Sequence, residues 1–249
     1  METSAYIGGV IVCVGYLIAG VRLWRLSRKT QQKPERLLSV ALLLWGLAYV
    51  GWQIPLILSD ESLLTPLYFS ARILTDAGTI VSALFLRLVF RPNSGIAGFL
   101  VTIIAASVIL GVTGSAWVGD WAALYPLRNL WWWLEWAAVI VSVAWIGIEG
   151  FHHYGKAKLR HYLGLCDAMV CNRYLLWGFT GVGWAIYEAI YALQQIEFEV
   201  TGSYSAWMDA FASTLELIPI ACIWLIFFPP NAYQRWVARS NLHSPTAAD

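Results

Sequence analysis

The chain has 249 residues, 59% of them hydrophobic and 12% charged, with a mean hydropathy of +0.62. Soluble domains carry roughly 25% charged residues, so most of this surface meets lipid and the bilayer is the first expected partner. A net charge of +1 provides no basic field of the kind that attracts nucleic acid, which is not an expected partner.

Apolar runs near the length that crosses about 30 Å of hydrocarbon fall at about 5–27, 37–58, 63–90, 95–115, 127–150, 168–195 and 205–228. The first is preceded by Met1-Glu2-Thr3-Ser4 and followed by Arg22, Arg25, Arg28 and Lys29. That charge order is the reverse of a signal peptide's, so the run reads as a retained helix. Arg22 to Arg36, Arg87, Arg91, Lys156 to Arg160, Arg173, Arg235 and Arg239 all fall on one face, which the positive-inside rule makes cytoplasmic. Only Arg72 and Arg128 lie elsewhere. The opposite face carries Asp60, Glu61, Asp120, Glu197 and Glu199, with Trp117, Trp121 and Tyr125 as an interfacial aromatic belt.

The expected fold class is an all-α integral membrane protein of seven transmembrane helices, multi-pass in the cell membrane, N-terminus outside and C-terminus cytoplasmic. Residues 1–240 form a single seven-helix domain and 241–249 a cytoplasmic tail. Only 19 residues follow Pro229-Pro230, so any signalling output needs a separate protein. Cys13, Cys166, Cys171 and Cys222 fall in helices or in a basic loop assigned to the reducing side, and no disulfide is expected.

The second run contains Leu43-Leu44-Trp45-Gly46 and Val50-Gly51-Trp52-Gln53-Ile54. The sixth contains Leu175-Leu176-Trp177-Gly178 and Val182-Gly183-Trp184-Ala185-Ile186, so that eight of twelve aligned positions are identical. Phe90-Arg91-Pro92-Asn93 after the third run is matched by Phe228-Pro229-Pro230-Asn231 after the seventh, with Thr75-Asp76 and Ser213-Thr214 upstream. These matches, in the same order, suggest two parallel repeats of about 5–90 and 137–228 joined by a linker helix at about 95–115, a 3+1+3 arrangement with its pseudo-twofold axis along the membrane normal.

This architecture resembles that of the SWEET and PQ-loop transporters, although the sequence has no Pro-Gln dipeptide. Trp177 and Trp184, with Arg128 before Trp131-Trp132, are similar to features of microbial rhodopsins. The four lysines, Lys29, Lys33, Lys156 and Lys158, all lie in cytoplasmic connections, so a retinal Schiff base has no attachment point and covalent retinal is not expected. No family assignment follows from either resemblance.

Arg72, Asp76, Glu135, Glu188, Asp209 and Glu216 fall within the apolar runs, where a charge near the bilayer centre costs at least about 2.5–3.5 kcal/mol. Arg72 and Asp76 are four apart on one face of the third helix and suggest an internal ion pair; Asp209 and Glu216 share a face of the seventh. Gln53 and Thr180 are placed to join them. One arginine cannot neutralise five carboxylates, so the excess must be protonated, hydrated or matched by a cationic ligand. Glu216 lies deepest, beside Pro219, whose missing amide donor loosens the helix.

Gly178, Gly181, Trp184 and Glu188 line one face of the sixth helix, and the tryptophans offer walls for an apolar or cationic ligand. The candidate ligand-binding or proton-coupling residues are Glu216, Asp209, Asp76, Arg72, Glu188, Glu135, Gln53, Trp184 and Trp177, with no catalytic residue and no cofactor assigned. His152, His153, His161, Cys166 and Cys171 do not have the spacing of a standard zinc module, and no metal is expected. No phosphate loop, nucleophile elbow or His-Glu-x-x-His motif occurs.

The pattern fits a protein that binds an unknown small molecule in a carboxylate-lined cavity and translocates it, with proton coupling. The alternatives are a seven-helix sensor for a lipid or amphiphile, and a membrane-embedded enzyme on an isoprenoid-like substrate, similar in size to the seven-helix meroterpenoid cyclases. Binding and transport are favoured over catalysis.

Overall fold

The computed structural model describes residues 3–58, 64–121, 126–203 and 205–240; the side chains of 3–7, 55–58, 64, 206, 209 and 240 lie outside the described set. Among the described residues there are eight helices: α1 (Thr3–Thr30), α2 (Lys33–Leu58), α3 (Leu64–Phe90), α4 (Gly95–Trp117), α5 (Leu130–Tyr162), α6 (Ala168–Thr201), α7 (Ala206–Phe227) and α8 (Asn231–Ser240). Six of them, α1 to α5 and α7, contain segments long and apolar enough to cross a membrane. α6 falls outside that set because Glu188, Gln194, Gln195, Glu197 and Glu199 interrupt its apolar surface.

Local chemistry sets the helix ends. Ser94 accepts a hydrogen bond from the Ala97 amide at 3.2 Å and Asp167 one from the Met169 amide at 2.6 Å, each satisfying an orphan donor of a first turn. Asn129 does the same for α5 through the Trp131 and Trp132 amides. α6 stops at Gly202, whose φ of 75° lies in the left-handed region that only glycine enters freely.

The helices form a closed ring in the order α1, α2, α3, α5, α6, α7, with α7 packed back on α1 and α4 set outside against α3 and α5. Direction follows from the close approaches. Gly20 meets Leu43 and Gly46 meets Leu17, making α1 and α2 antiparallel, whereas Gly8 meets Ser213 and Gly15 meets Ile220, making α1 and α7 parallel. α3 and α5 are also parallel, with Arg72 beside Glu135, Ser82 beside Ser142 and Arg91 beside Glu149. Thus α1, α3, α5 and α7 all begin at one end, the upper end, where α2 and α6 finish.

The tightest seam is between α5 and α6. A Cβ on Gly181 would lie 2.0 Å from the Gly147 nitrogen, and one on Gly150 would lie 2.3 Å from the Gly178 nitrogen. Only glycine lets the two backbones touch there. α4 instead turns Ile96, Phe99, Ile109 and Leu110 outward, as suits a helix bathed in lipid on most of its circumference.

The lower half of the ring is filled by large apolar side chains, among them Leu23, Leu42, Phe85, Leu86, Phe90 and Ile223. Trp177 belongs here, 5.5 Å from Phe85 and 6.1 Å from Phe227 between ring centroids. The upper half is different.

Candidate functional site

A cavity of about 340 Å³ occupies the upper half of the ring, bounded by α1, α2, α3, α5, α6 and α7. Its base is aromatic. Tyr16, Trp45 and Trp184 lie within 5.1–6.3 Å of one another, and the Trp184 indole donates to the Tyr16 hydroxyl at 2.7 Å. Trp45 is held by donation from its indole nitrogen to the Thr75 carbonyl at 3.2 Å, an approach that Gly78 permits because a Cβ there would sit 2.7 Å from the same nitrogen.

Glu216 enters this base from α7, with only 4% of its surface exposed. The Tyr49 hydroxyl donates to its carboxyl group, and Tyr49 also reaches the Tyr187 hydroxyl at 3.4 Å. Glu188 faces the same cavity from α6. Among the described residues, neither Glu188 nor Glu216 forms a salt bridge to Lys, Arg or His.

The opposite wall holds the charge that is neutralised. Arg72 does not pair with Asp76, as their helical spacing suggests, but reaches across to Glu135 of α5 as a two-pronged ion pair, Nε donating to Oε1 at 2.7 Å and Nη2 to Oε2. The reason lies in α4: a Cβ on Gly111 would lie 2.5 Å from the Glu135 Cβ, so its absence lets α5 close in and carry the carboxylate to the guanidinium. Arg72 also donates to the Ser115 hydroxyl at 2.9 Å and the Asp120 carbonyl at 3.4 Å. Asn129 completes the network by donating to Ser115 at 2.9 Å and to the Asp120 carboxylate at 2.8 Å. A satisfied, two-pronged pair of this kind is the arrangement that makes a buried guanidinium tolerable.

Asp76 sits below this pair at 5% exposure. Its carboxyl lies beside that of Glu135. Its Oδ2 has no hydrogen-bond partner among the described residues, and the same holds for Oε1 of Gln53. Both residues line the cavity, so the site presents buried acceptors that await a donor.

Of the sequence candidates, Arg72, Asp76, Glu135, Gln53, Trp184, Glu188 and Glu216 all line the one cavity. Trp177 does not line it, being packed in the lower core. Thr180 is also away from it, its hydroxyl satisfied by the Leu176 carbonyl at 2.9 Å. The Asp209 side chain lies outside the described residues.

The sequence reading missed the tyrosines Tyr16, Tyr49, Tyr68, Tyr187 and Tyr191, which supply half of the aromatic lining. A signal existed: Trp45, Tyr49 and Trp52, and likewise Trp184, Tyr187 and Tyr191, recur at helical spacing on one face. Near the lower end, Arg91, Trp145 and His153 surround Glu149, with Arg91 and Trp145 donating at 2.8 and 3.1 Å. Among the described residues no group of three His, Cys, Asp or Glu is placed to hold a metal, and the four cysteines are free.

Together these features define the class: a polytopic helical membrane protein with an acidic, aromatic cavity enclosed by six helices of its bundle. No protein-family model, no curated protein and no solved structure matches the chain.

Proposed function

We propose that the chain crosses the membrane seven times, that its cavity is a small-molecule site opening to the outer face, and that the protein translocates its ligand in exchange for, or together with, protons. The observation that carries this reading is the cavity itself, where four carboxyls face one arginine and that arginine is already committed to Glu135. Glu188, Glu216 and Asp76 then take up a proton or a ligand, which is the requirement for coupling the two.

The crossing of α6 is supported by its position between α5 and α7 and its 34 residues, about 51 Å at 1.5 Å per residue, ample for a bilayer. Orientation rests on charge: the lower end carries Arg25, Arg28, Arg87, Lys156 and Lys158, while Arg72 and Arg128 belong to the upper end.

Contact register supports a design of two triple-helix halves. Gly8, Gly15 and Arg22 of α1 meet Ser213, Ile220 and Phe228; Glu135, Ser142 and Glu149 of α5, at the same intervals of seven, meet Arg72, Ser82 and Arg91 of α3 in the same order. The proposed twofold axis along the membrane normal exchanges α1 with α5 and α3 with α7. The cavity is lined by helices of both proposed halves, as the sites of parallel-repeat transporters are. Substrate-dependent uptake into proteoliposomes across a broad solute panel, with and without a pH gradient, tests the proposal. Uptake that requires the gradient is expected, and no uptake of any solute counts against it.

A second reading is favoured by one observation. The carboxyls of Asp76 and Glu135 face a Trp- and Tyr-walled cavity, an arrangement that also suits acid-initiated chemistry on an isoprenoid-like substrate. Conversion of a prenylated substrate by purified protein separates this reading from transport.

A further inference from the structure

We infer that the ligand of this cavity is an organic cation, an ammonium centre seated against the Tyr16, Trp45 and Trp184 rings with Glu216 and Glu188 as its counter-charges. The inference rests on the proposed function and deepens it by naming the chemical class. Ten aromatic residues line the cavity, five Trp and five Tyr, and none is Phe although the chain contains 10. An apolar ligand has no reason to exclude phenylalanine. A cation does, because Trp and Tyr combine a strongly attracting ring face with a polar edge that anchors it.

The anchoring is visible. The Trp184 indole is fixed on Tyr16, the Trp45 indole on the Thr75 carbonyl, and Tyr49 on Glu216, so the rings are held in place before a ligand arrives. The carboxyls beside them have no cation of their own among the described residues, whereas the only arginine of the cavity lies on the α3–α5 wall with Glu135. One wall is therefore self-neutralised and the other acidic. Unpartnered acceptors, Gln53 Oε1 and Asp76 Oδ2, are left for the polar remainder of the ligand.

An inorganic ion is the poorer fit. A hard cation needs roughly six oxygen ligands, and the base of this cavity offers ring carbons in their place. A weakly hydrated ammonium gives up its water at lower cost and gains ring faces in return.

The test compares choline with 3,3-dimethylbutan-1-ol, its neutral isostere, by titration calorimetry on the full chain in maltoside micelles. Choline is expected to bind at least about tenfold more tightly than the alcohol, with Glu216→Gln abolishing that preference. If Glu216→Gln fails to fold, Glu188→Gln carries the same comparison. Equal affinity for the two probes, or binding of neither by folded protein, overturns the inference.

Nanodiscs separate the two sources of such a cation. Weaker binding of free choline in phosphatidylcholine than in phosphatidylglycerol discs assigns the site to a lipid headgroup, and equal binding assigns it to a soluble cation; both outcomes support the ammonium class. Binding of the alcohol as tightly as choline would remove the ligand class and leave the cavity as a small-molecule site. By contrast, undiminished uptake after filling the cavity with Gly9→Trp would remove the proposed function itself.

Discussion

Replacing Arg72 by methionine keeps most of the unbranched stem of the side chain and removes its charge, and it isolates the buried ion pair that ties three helices together. Arg72 is 3% exposed and Glu135 8%, so the substitution leaves a carboxylate facing apolar surroundings with no counter-charge. Breaking a buried pair by removing one partner costs about 3–5 kcal/mol. For a chain of this length each kcal/mol lowers the melting temperature by roughly 2–4 °C, so a fall of about 6–20 °C is expected. Removing both charges, Arg72→Met with Glu135→Met, should restore most of the loss, because two apolar side chains of similar volume replace the pair without stranding either charge. Thermal unfolding in detergent, followed by tryptophan fluorescence, measures both variants. If the single variant melts within about 2 °C of the parent, or the double variant falls as far as the single, Arg72 and Glu135 are not coupled as their geometry requires.

Three further outcomes follow from the same geometry. Gly181→Ala drives a Cβ into the Gly147 backbone at 2.0 Å and should abolish recovery of folded protein, while Gly155→Ala, with nothing within 4 Å, should leave the yield unchanged; size-exclusion chromatography reads both. Asp76→Asn keeps the size of a side chain that forms no salt bridge with Arg72, so its melting temperature should stay within about 4 °C of the parent; a larger fall would mean that Asp76 is Arg72's true partner. Single-cysteine labelling in intact cells should find position 156 protected and position 118, which is exposed at the upper end, reactive with an impermeant maleimide, and the reverse pattern would invert the orientation.

Helix positions were legible because hydropathy and bilayer thickness act residue by residue. The starts expected at 63, 95, 168 and 205 lie within one residue of Leu64, Gly95, Ala168 and Ala206. The misses have a common cause. α5 was expected to end near 150 but runs to Tyr162, since a helix outside lipid is sustained by the good helix formers Lys156, Ala157, Lys158, Leu159 and Arg160, which an apolar-run reading stops short of.

α8 was not foreseen for the same reason. Half of its ten residues are polar, and among the described side chains Tyr233 and Val237 form its inner face, Tyr233 accepting from Asn172 at 2.8 Å.

Within the site, the membership of Arg72, Asp76, Glu135, Glu188 and Glu216 could be read from the cost of placing charge in lipid. Their partners could not. The (i, i+4) spacing of Arg72 and Asp76 speaks only of a shared face, while the choice of Glu135 depends on how closely α4, thinned at Gly111 and Gly114, lets α5 approach. Trp177 and Trp184 show the same limit. Seven residues apart on one helix, they part company because the ring is packed solid at the level of Phe85 and Phe227 and open at the level of Glu216.

Proton flux driven by a solute tests the central claim most directly. In proteoliposomes loaded with a pH-sensitive dye, addition of a transported cation should change the internal pH for the parent protein, and Glu216→Gln, which keeps the size and hydrogen bonding of the side chain while removing its titration, should give no pH change even at solute concentrations raised to offset its weaker binding. A solute that is taken up with no proton movement, or a Glu216→Gln protein that still moves protons at the parent rate, would contradict the account.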